Sequence, residues 1–242
     1  MKKYFLALLF AFTFSFVSAE FNDKKLTKFL EFDITSTTNR GIERNQTLFS
    51  GEIGLAHTWG EGLLGIQGYK DAFDFTMQGN GWLPFASWNF ETARIAIGLG
   101  GIYHFQRYKN ISSEHDFLFD TVFRYHSDSG TRVTFYGGYA WKTTQIEALK
   151  DYVPYIYDRY LHAKIQVDKI WESGFEMYLE HGLHDLYRYP LFPSPHYLIG
   201  FAYNLENGLR FSGDVSMRIV DGYTTPPYID SLLVKFATRF TF

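Results

Sequence analysis

The stretch Asp230-Ser-Leu-Leu-Val-Lys-Phe-Ala-Thr-Arg-Phe-Thr-Phe242 decides the fold, because its residues alternate in character. Counting back in twos from the last residue gives an apolar, aromatic-rich set: Phe242, Phe240, Thr238, Phe236, Val234 and Leu232. The set between them contains two cations, Lys235 and Arg239. Since a β-strand points successive side chains to opposite faces, the segment predicts a strand with one apolar face and one polar face.

The end of this strand resembles a known class of protein. It finishes on Phe242, with Phe240 on the same face, and is similar to the C-terminal strand of Gram-negative-type outer-membrane β-barrels. The resemblance implies that the Phe240 and Phe242 strand is recognised by the barrel-assembly machinery. A barrel in hydrocarbon must also close, because an open sheet edge leaves backbone donors and acceptors unpaired. The last strand is therefore expected to pair with the first.

The N-terminus predicts export. Met1-Lys2-Lys3 is followed by an apolar run from Tyr4 to Phe16 and by the small-residue sequence Val17-Ser-Ala19. This order is typical of a secretory signal peptide, so residues 1–19 are predicted to be cleaved after Ala19. Residues 20–242 are then expected to form a single transmembrane β-barrel domain.

The composition favours the same class. Aromatic residues make up 20% of the chain, and no segment after the predicted signal peptide reaches 18 consecutive apolar residues, so helical membrane spans are not expected. The chain has no Cys, which excludes disulfides. Its formal net charge of −3 gives no electrostatic argument for nucleic acid as a partner.

Alternation like that of the last strand recurs along the chain. It predicts an all-β, antiparallel transmembrane β-barrel of about twelve strands, with ten as the alternative count. The predicted strands are 28–36, 48–59, 63–71, 84–90, 93–107, 115–126, 131–142, 157–170, 175–183, 196–205, 209–219 and 230–242.

The connections between the strands add a second signal. Short turns such as 60–62 alternate with longer polar loops such as 37–46, 72–82 and 143–155, and this alternation is typical of outer-membrane barrels. An even number of strands puts both termini on one side, which is the periplasmic side in this class. A soluble β domain is the alternative, but it has no reason to sort its connections by length.

The face opposite the apolar one is predicted to line the lumen. The residues on it that are candidates for selectivity are Glu31, Asp33, Glu52, Glu176, Glu180, Arg210, Arg218, Lys235 and Arg239. An Arg or Lys on the lipid face would cost about 2–4 kcal/mol at the bilayer midplane, so the charges are expected inside. Small inward residues such as Gly54 and Gly138 are expected to leave space there. Two interpretations stay open: a salt-bridged interior that partly fills the lumen, or a basic ladder that guides anionic solutes.

The sequence therefore predicts a monomeric channel or porin in the cell outer membrane for small hydrophilic solutes, anionic ones among them, with outer-membrane lipids around it. A filled barrel with a structural or surface-adhesion role is the alternative. A lipid-modifying enzyme is a further one, with His126 in Tyr125-His126-Ser127-Asp128 as its candidate residue. That cluster lies at a predicted turn, where Asp-Ser-Gly is ordinary turn chemistry, so the chain is not expected to be an enzyme. No cofactor or metal is expected, since no metal-ligand spacing or phosphate-binding loop is present.

Overall fold

A computed structural model describes residues 27–39, 42–57, 60–69, 72–183, 195–220 and 228–242. The predicted signal peptide lies outside these ranges. Within them the chain forms twelve antiparallel strands: β1 Thr27–Asn39, β2 Ile42–His57, β3 Gly60–Tyr69, β4 Ala72–Asn89, β5 Ala93–Tyr108, β6 Ser112–Ser127, β7 Thr131–Ile146, β8 Ile156–Ile170, β9 Phe175–Leu183, β10 His196–Asn204, β11 Leu209–Val220 and β12 Tyr228–Thr241. A 3-10 helix, Glu147–Leu149, lies in the connection between β7 and β8. No helix in the described ranges is long and apolar enough to cross a membrane.

The strands form one closed barrel, in which each strand pairs with its neighbours in sequence and β1 pairs with β12. The closing seam runs from Phe29 opposite Thr241 to Asn39 opposite Ser231. At one end of the seam the Lys28 and Phe242 amides donate to each other's carbonyl oxygens, at 3.0 and 2.9 Å. We call this end of the barrel the terminal end and the opposite one the loop end. The predicted closure of the first strand on the last is confirmed.

The two faces of the barrel differ as the alternation predicts. Large apolar side chains such as Phe32, Phe236 and Leu161 are exposed on the outside, whereas Glu31 and Asp33 are buried on the inside. Several aromatic residues predicted near the strand ends are among those exposed outside: Trp141, Tyr157, Tyr203 and Phe242. An apolar exterior with aromatic residues near its edges is the surface that a bilayer requires.

Several predicted loops prove to be strand. The segments 37–46 and 72–82 belong largely to β1, β2 and β4, and β7 continues to Ile146. Polar residues obscure the apolar alternation there, but each segment keeps its ladder of backbone pairing. Pro84 was predicted to begin a strand; instead it lies inside β4, where the register with β5 shifts. A proline cannot donate to the ladder, and such irregularities tolerate it.

The connections are therefore sorted by length only in the second half of the barrel. The long connections at the loop end are 147–155, 184–195 and 221–227, whereas β1–β2, β3–β4 and β5–β6 are joined by two or three residues. The predicted turn at 60–62 is also wrong, since these residues begin β3. The sequence Glu206-Asn-Gly208 predicts a hairpin turn, and this turn is confirmed between β10 and β11, where Gly208 adopts a positive φ of 84°.

The expected space at small inward residues is already occupied. The Phe29 ring lies across Gly54, so closely that a Cβ there would overlap it. At Gly138, an added Cβ would likewise overlap the Asp120 carboxylate and the Phe119 carbonyl oxygen. These glycines admit neighbouring groups and do not widen the lumen.

Candidate functional site: the charged lumen

The interior of the barrel holds a cavity of about 610 Å³, which we call the lumen cavity. Side chains from β1–β4 and β6–β12 line it, and Gly174 of the turn between β8 and β9 is among the lining residues, so the cavity reaches the terminal end. Its cations are Arg124, Arg132, Lys164, Arg210, Lys235 and Arg239. Its carboxylates are Glu31, Glu52, Glu61, Asp168, Glu176, Glu180 and Asp214.

Most of these charges form ion pairs across neighbouring strands. On the seam side, Arg239 Nε lies 2.5 Å from Glu31 Oε2 and its Nη1 lies 2.8 Å from Glu61 Oε2. One cation of β12 thereby binds carboxylates of both β1 and β3. Lys235 Nζ, two residues earlier on the same face, lies 3.0 Å from Asp33 Oδ2.

The opposite side of the cavity is organised around one carboxylate of β9. Glu176 Oε2 lies 3.2 Å from Arg210 Nη2, and its Oε1 lies 3.5 Å from Arg132 Nη2. Arg132 also donates from Nε to Asp168 Oδ2 at 2.8 Å. Two guanidinium groups, from β7 and β11, are thus drawn together by the strand between them.

The partners of these ion pairs differ in their exposure to the cavity. The side chains of Arg132, Arg210, Lys235 and Arg239 are 28, 23, 23 and 19% exposed. The carboxylates of Asp168, Asp33, Glu31 and Glu176 are 0, 4, 7 and 7% exposed. The acids therefore lie against the wall, and the cations face the water of the cavity. Glu61, at 29%, is an exception among the paired acids.

Towards the loop end, the wall formed by β5–β8 is filled with side chains. Ile102, Leu118 and Ala140 form a buried apolar cluster with Tyr160 packed against it. Buried polar pairs surround this cluster: His104 Nδ1 with Asp116 Oδ2 at 3.1 Å, His162 Nδ1 with Asp120 Oδ1 at 2.7 Å, and Lys142 Nζ with Glu114 Oε1 at 2.5 Å. The lumen cavity therefore reaches the terminal end, whereas on the β5–β8 side the interior is filled towards the loop end.

The structure brings most of the predicted selectivity residues together. The following line the lumen cavity: Glu31, Glu52, Glu176, Glu180, Arg210, Lys235 and Arg239. Asp33 lies buried behind Lys235, and Arg218 is buried on β11 without being among the lining residues. That these residues set selectivity stays a prediction.

Two lining residues were missed by the sequence analysis although the sequence carries a signal for each. Arg132 is in step with Thr134 on the inward face of β7, so extending the alternation by one residue pair would have found it. Glu61 was assigned to a turn, yet it is in step with Leu63 on the inward face of β3. Both lie at strand ends, where sequence boundaries are least certain.

The residues around His126 form a turn. The Ser127 hydroxyl lies 2.8 Å from that of Ser129, and it accepts a hydrogen bond from the Thr131 amide at 3.1 Å. The serine is therefore occupied in closing the β6–β7 connection. Among the described residues, no group of three or more His, Asp or Glu side chains could hold a metal ion. That the chain is not an enzyme stays a prediction.

A closed antiparallel barrel with an even number of strands, an apolar exterior and a charged interior has the fold of an outer-membrane β-barrel. Solved structures agree. The KdgM porin superimposes with a TM-score of 0.51 over 88% of this chain and 99% of its own, at 6% sequence identity. The KdgM porin in complex with disordered oligogalacturonate gives a TM-score of 0.52 over the same shares, also at 6% identity. The likeness is one of fold. No protein-family model and no curated protein matches the sequence.

Proposed function

We propose that the protein is a narrow channel of the outer membrane for small hydrophilic solutes that carry an anionic group. One observation supports this above the others: four cations of the lumen cavity are 19–28% exposed, whereas each of their partner acids except Glu61 is at most 7% exposed. An anionic solute entering from the terminal end meets Arg132, Arg210, Lys235 and Arg239 as exposed donors. Guanidinium groups form bidentate hydrogen bonds with carboxylates, so the three arginines are suited to binding an anionic solute.

The buried acids hold the exposed cations in place but leave them accessible to a solute. Glu176 positions Arg132 and Arg210, and Glu31 positions Arg239, at distances between 2.5 and 3.5 Å. An arginine that is bound to a buried carboxylate still has N–H groups that can donate to a solute, since guanidinium has five donors. Seven carboxylates and six cations line the cavity, so the field that the solute meets depends on which of the paired groups are exposed.

The outer surface supports membrane insertion. Phe236, Phe240 and Phe242 of the last strand are exposed on the outside, as a lipid-facing belt requires. We propose that lipids of the outer membrane surround the barrel and that its termini lie on the periplasmic side. The C-terminal strand with Phe240 and Phe242 is then the segment that the barrel-assembly machinery recognises. Each monomeric barrel forms one permeation pathway.

The test is conductance and ion preference in planar bilayers. In a tenfold KCl gradient, we expect a reversal potential that indicates chloride preference. The double variant R132Q/R210Q should lose a large part of this preference. The double variant K28Q/K169Q removes the same charge from the outer edge of the terminal end and should keep it. If the folded protein conducts no ions, the proposal that it is a channel is wrong.

A filled barrel with a structural role is the second candidate, because the β5–β8 wall is packed at the loop end. It predicts no conductance for the wild type or for any lumen variant, although the protein folds. The same measurement therefore separates the two functions.

A further inference from the structure

One carboxylate of the lumen cavity, that of Glu52, forms no ion pair with the described residues. Glu52 lines the cavity from β2, and its side chain leans over Gly65 of β3, where a Cβ would lie 3.3 Å from Glu52 Cγ. Within the described part of the chain, the side chain of Glu52 forms no ion pair and no hydrogen bond. Ionising a partly buried carboxyl group without an ion-pair partner is costly, so the position of Glu52 in the cavity needs an explanation.

The cations on the same side are bound to other acids. Lys235 Nζ lies 3.0 Å from Asp33 and 3.8 Å from Glu31, both on β1. Arg239 binds Glu31 and Glu61, one strand to either side of β2. The Glu52 carboxylate is therefore not engaged by a cation of the wall and can accept one from a solute.

The exposed guanidinium groups lie within reach of the same space. Glu52 is opposite Glu31 in register, Glu31 is opposite Arg239, and Arg239 is opposite Arg210. Glu52 and Arg210 are thus three strands apart on one row, which is about 14 Å along the wall at about 4.8 Å per strand. Both side chains extend from the wall into one cavity.

We propose that the lumen binds solutes that carry both an anionic and a cationic group, with the cationic group on Glu52 and the carboxylate on Arg132 and Arg210. The proposal rests on the proposed function, because it requires solutes to enter the lumen. An ammonium group supplies three N–H donors that a carboxylate can accept, and guanidinium supplies the matching donors for the solute's carboxylate. A simple anion satisfies only the arginine side of the site.

The test compares two solutes of equal length that differ in one group. The two solutes are 4-aminobutyrate and 4-hydroxybutyrate. Both have a carboxylate at one end; at the other end the first has an ammonium group and the second a hydroxyl. Their permeation into liposomes is measured at pH 8 and low solute concentration with the wild-type barrel. We expect 4-aminobutyrate to permeate faster, and Glu52→Gln to lower the ratio of the two rates by about tenfold, as for one lost hydrogen bond to a charged group.

Two further variants make the result specific. Glu206→Gln removes the same charge from the exposed turn between β10 and β11, outside the lumen cavity, and should keep the wild-type ratio. Glu52→Asp keeps the carboxylate and should retain a preference for 4-aminobutyrate. Equal rates for the two solutes in the wild type, or an unchanged ratio in Glu52→Gln, would overturn the proposal.

Failure of the channel is recognised separately. If the folded wild type passes neither solute nor ions, the proposed function fails, and binding of the two solutes to the detergent-solubilised barrel by calorimetry then tests the site. Tighter binding of 4-aminobutyrate to the wild type than to Glu52→Gln supports it. Equal binding to both proteins overturns it.

Discussion

The seam of the barrel depends on a residue without a side chain. Gly54 leaves room for the Phe29 ring beside β2, and the Arg239 guanidinium carbon lies 4.0 Å from the centroid of that ring. The same guanidinium binds Glu31 and Glu61. A cation over an aromatic face contributes about 0.5–2 kcal/mol, and here it also fixes the donor geometry. The absence of a side chain at Gly54 thus makes room for the Phe29 ring, on which Arg239 of the lumen is positioned.

We predict that Gly54→Ala destabilises the barrel by about 1–3 kcal/mol, the usual cost of overpacking. The added Cβ would overlap the Phe29 ring and lie 2.5 Å from the Gly62 carbonyl oxygen. The measurement is urea unfolding in lipid vesicles. Gly137→Ala is the matched control, because its Cβ would meet nothing within 4 Å. Equal stability of the two variants would contradict this account.

At the scale of the strand, alternation predicted the faces correctly but not the strand lengths. β9 was predicted as 175–183 and is observed there, and its more and less buried residues alternate over the whole length. In β4 the sequence Met77-Gln-Gly-Asn-Gly81 breaks the alternation, and the register with β5 shifts between Gly79 and Leu83. Backbone pairing continues through such a shift, whereas a pattern of side chains does not reveal it.

The ion pairs could not be predicted from the faces alone. The sequence places Glu31 and Arg239 inward, but their contact depends on the register in which β1 pairs with β12, more than 200 residues apart in the chain. Likewise, Glu176 binds both Arg132 and Arg210 only because β9 lies midway between β7 and β11. Exposure of the cations and burial of the acids follow from that packing, and no single strand encodes them.

The seam gives a prediction at this scale. Arg239→Gln should destabilise the barrel by about 3 kcal/mol, because it leaves the buried Glu31 carboxylate without its closest cation. The double variant E31Q/R239Q should recover a substantial part of the loss, as measured by urea unfolding. Lys150→Gln breaks an exposed ion pair with Glu147 and should change stability by less than about 0.5 kcal/mol. An Arg239→Gln variant as stable as Lys150→Gln would refute the role of the seam.

At the scale of the whole molecule, the two halves of the barrel interior differ in their side chains. The terminal half holds the lumen cavity with its exposed cations. On the β5–β8 side of the loop half, Ile102, Leu118 and Ala140 are withdrawn from water together with the His104–Asp116 pair. Eight-stranded barrels are filled by their side chains and sixteen-stranded ones leave a channel, so a twelve-stranded barrel can combine the two along its length. For the proposed channel, we expect resistance to permeation to concentrate in the filled half.

This arrangement predicts that Leu118→Ala raises the single-channel conductance. Leu118 is buried in the apolar cluster of the loop half, and removing its outer carbons leaves space that water can enter beside the neighbouring polar pairs. Phe119→Ala is the matched control, since the next residue of β6 points to the lipid side, where it is exposed. Its conductance should equal that of the wild type, although it also loses a large side chain. If Leu118→Ala conducts like the wild type while folding normally, permeation is limited elsewhere than at the filled β5–β8 wall.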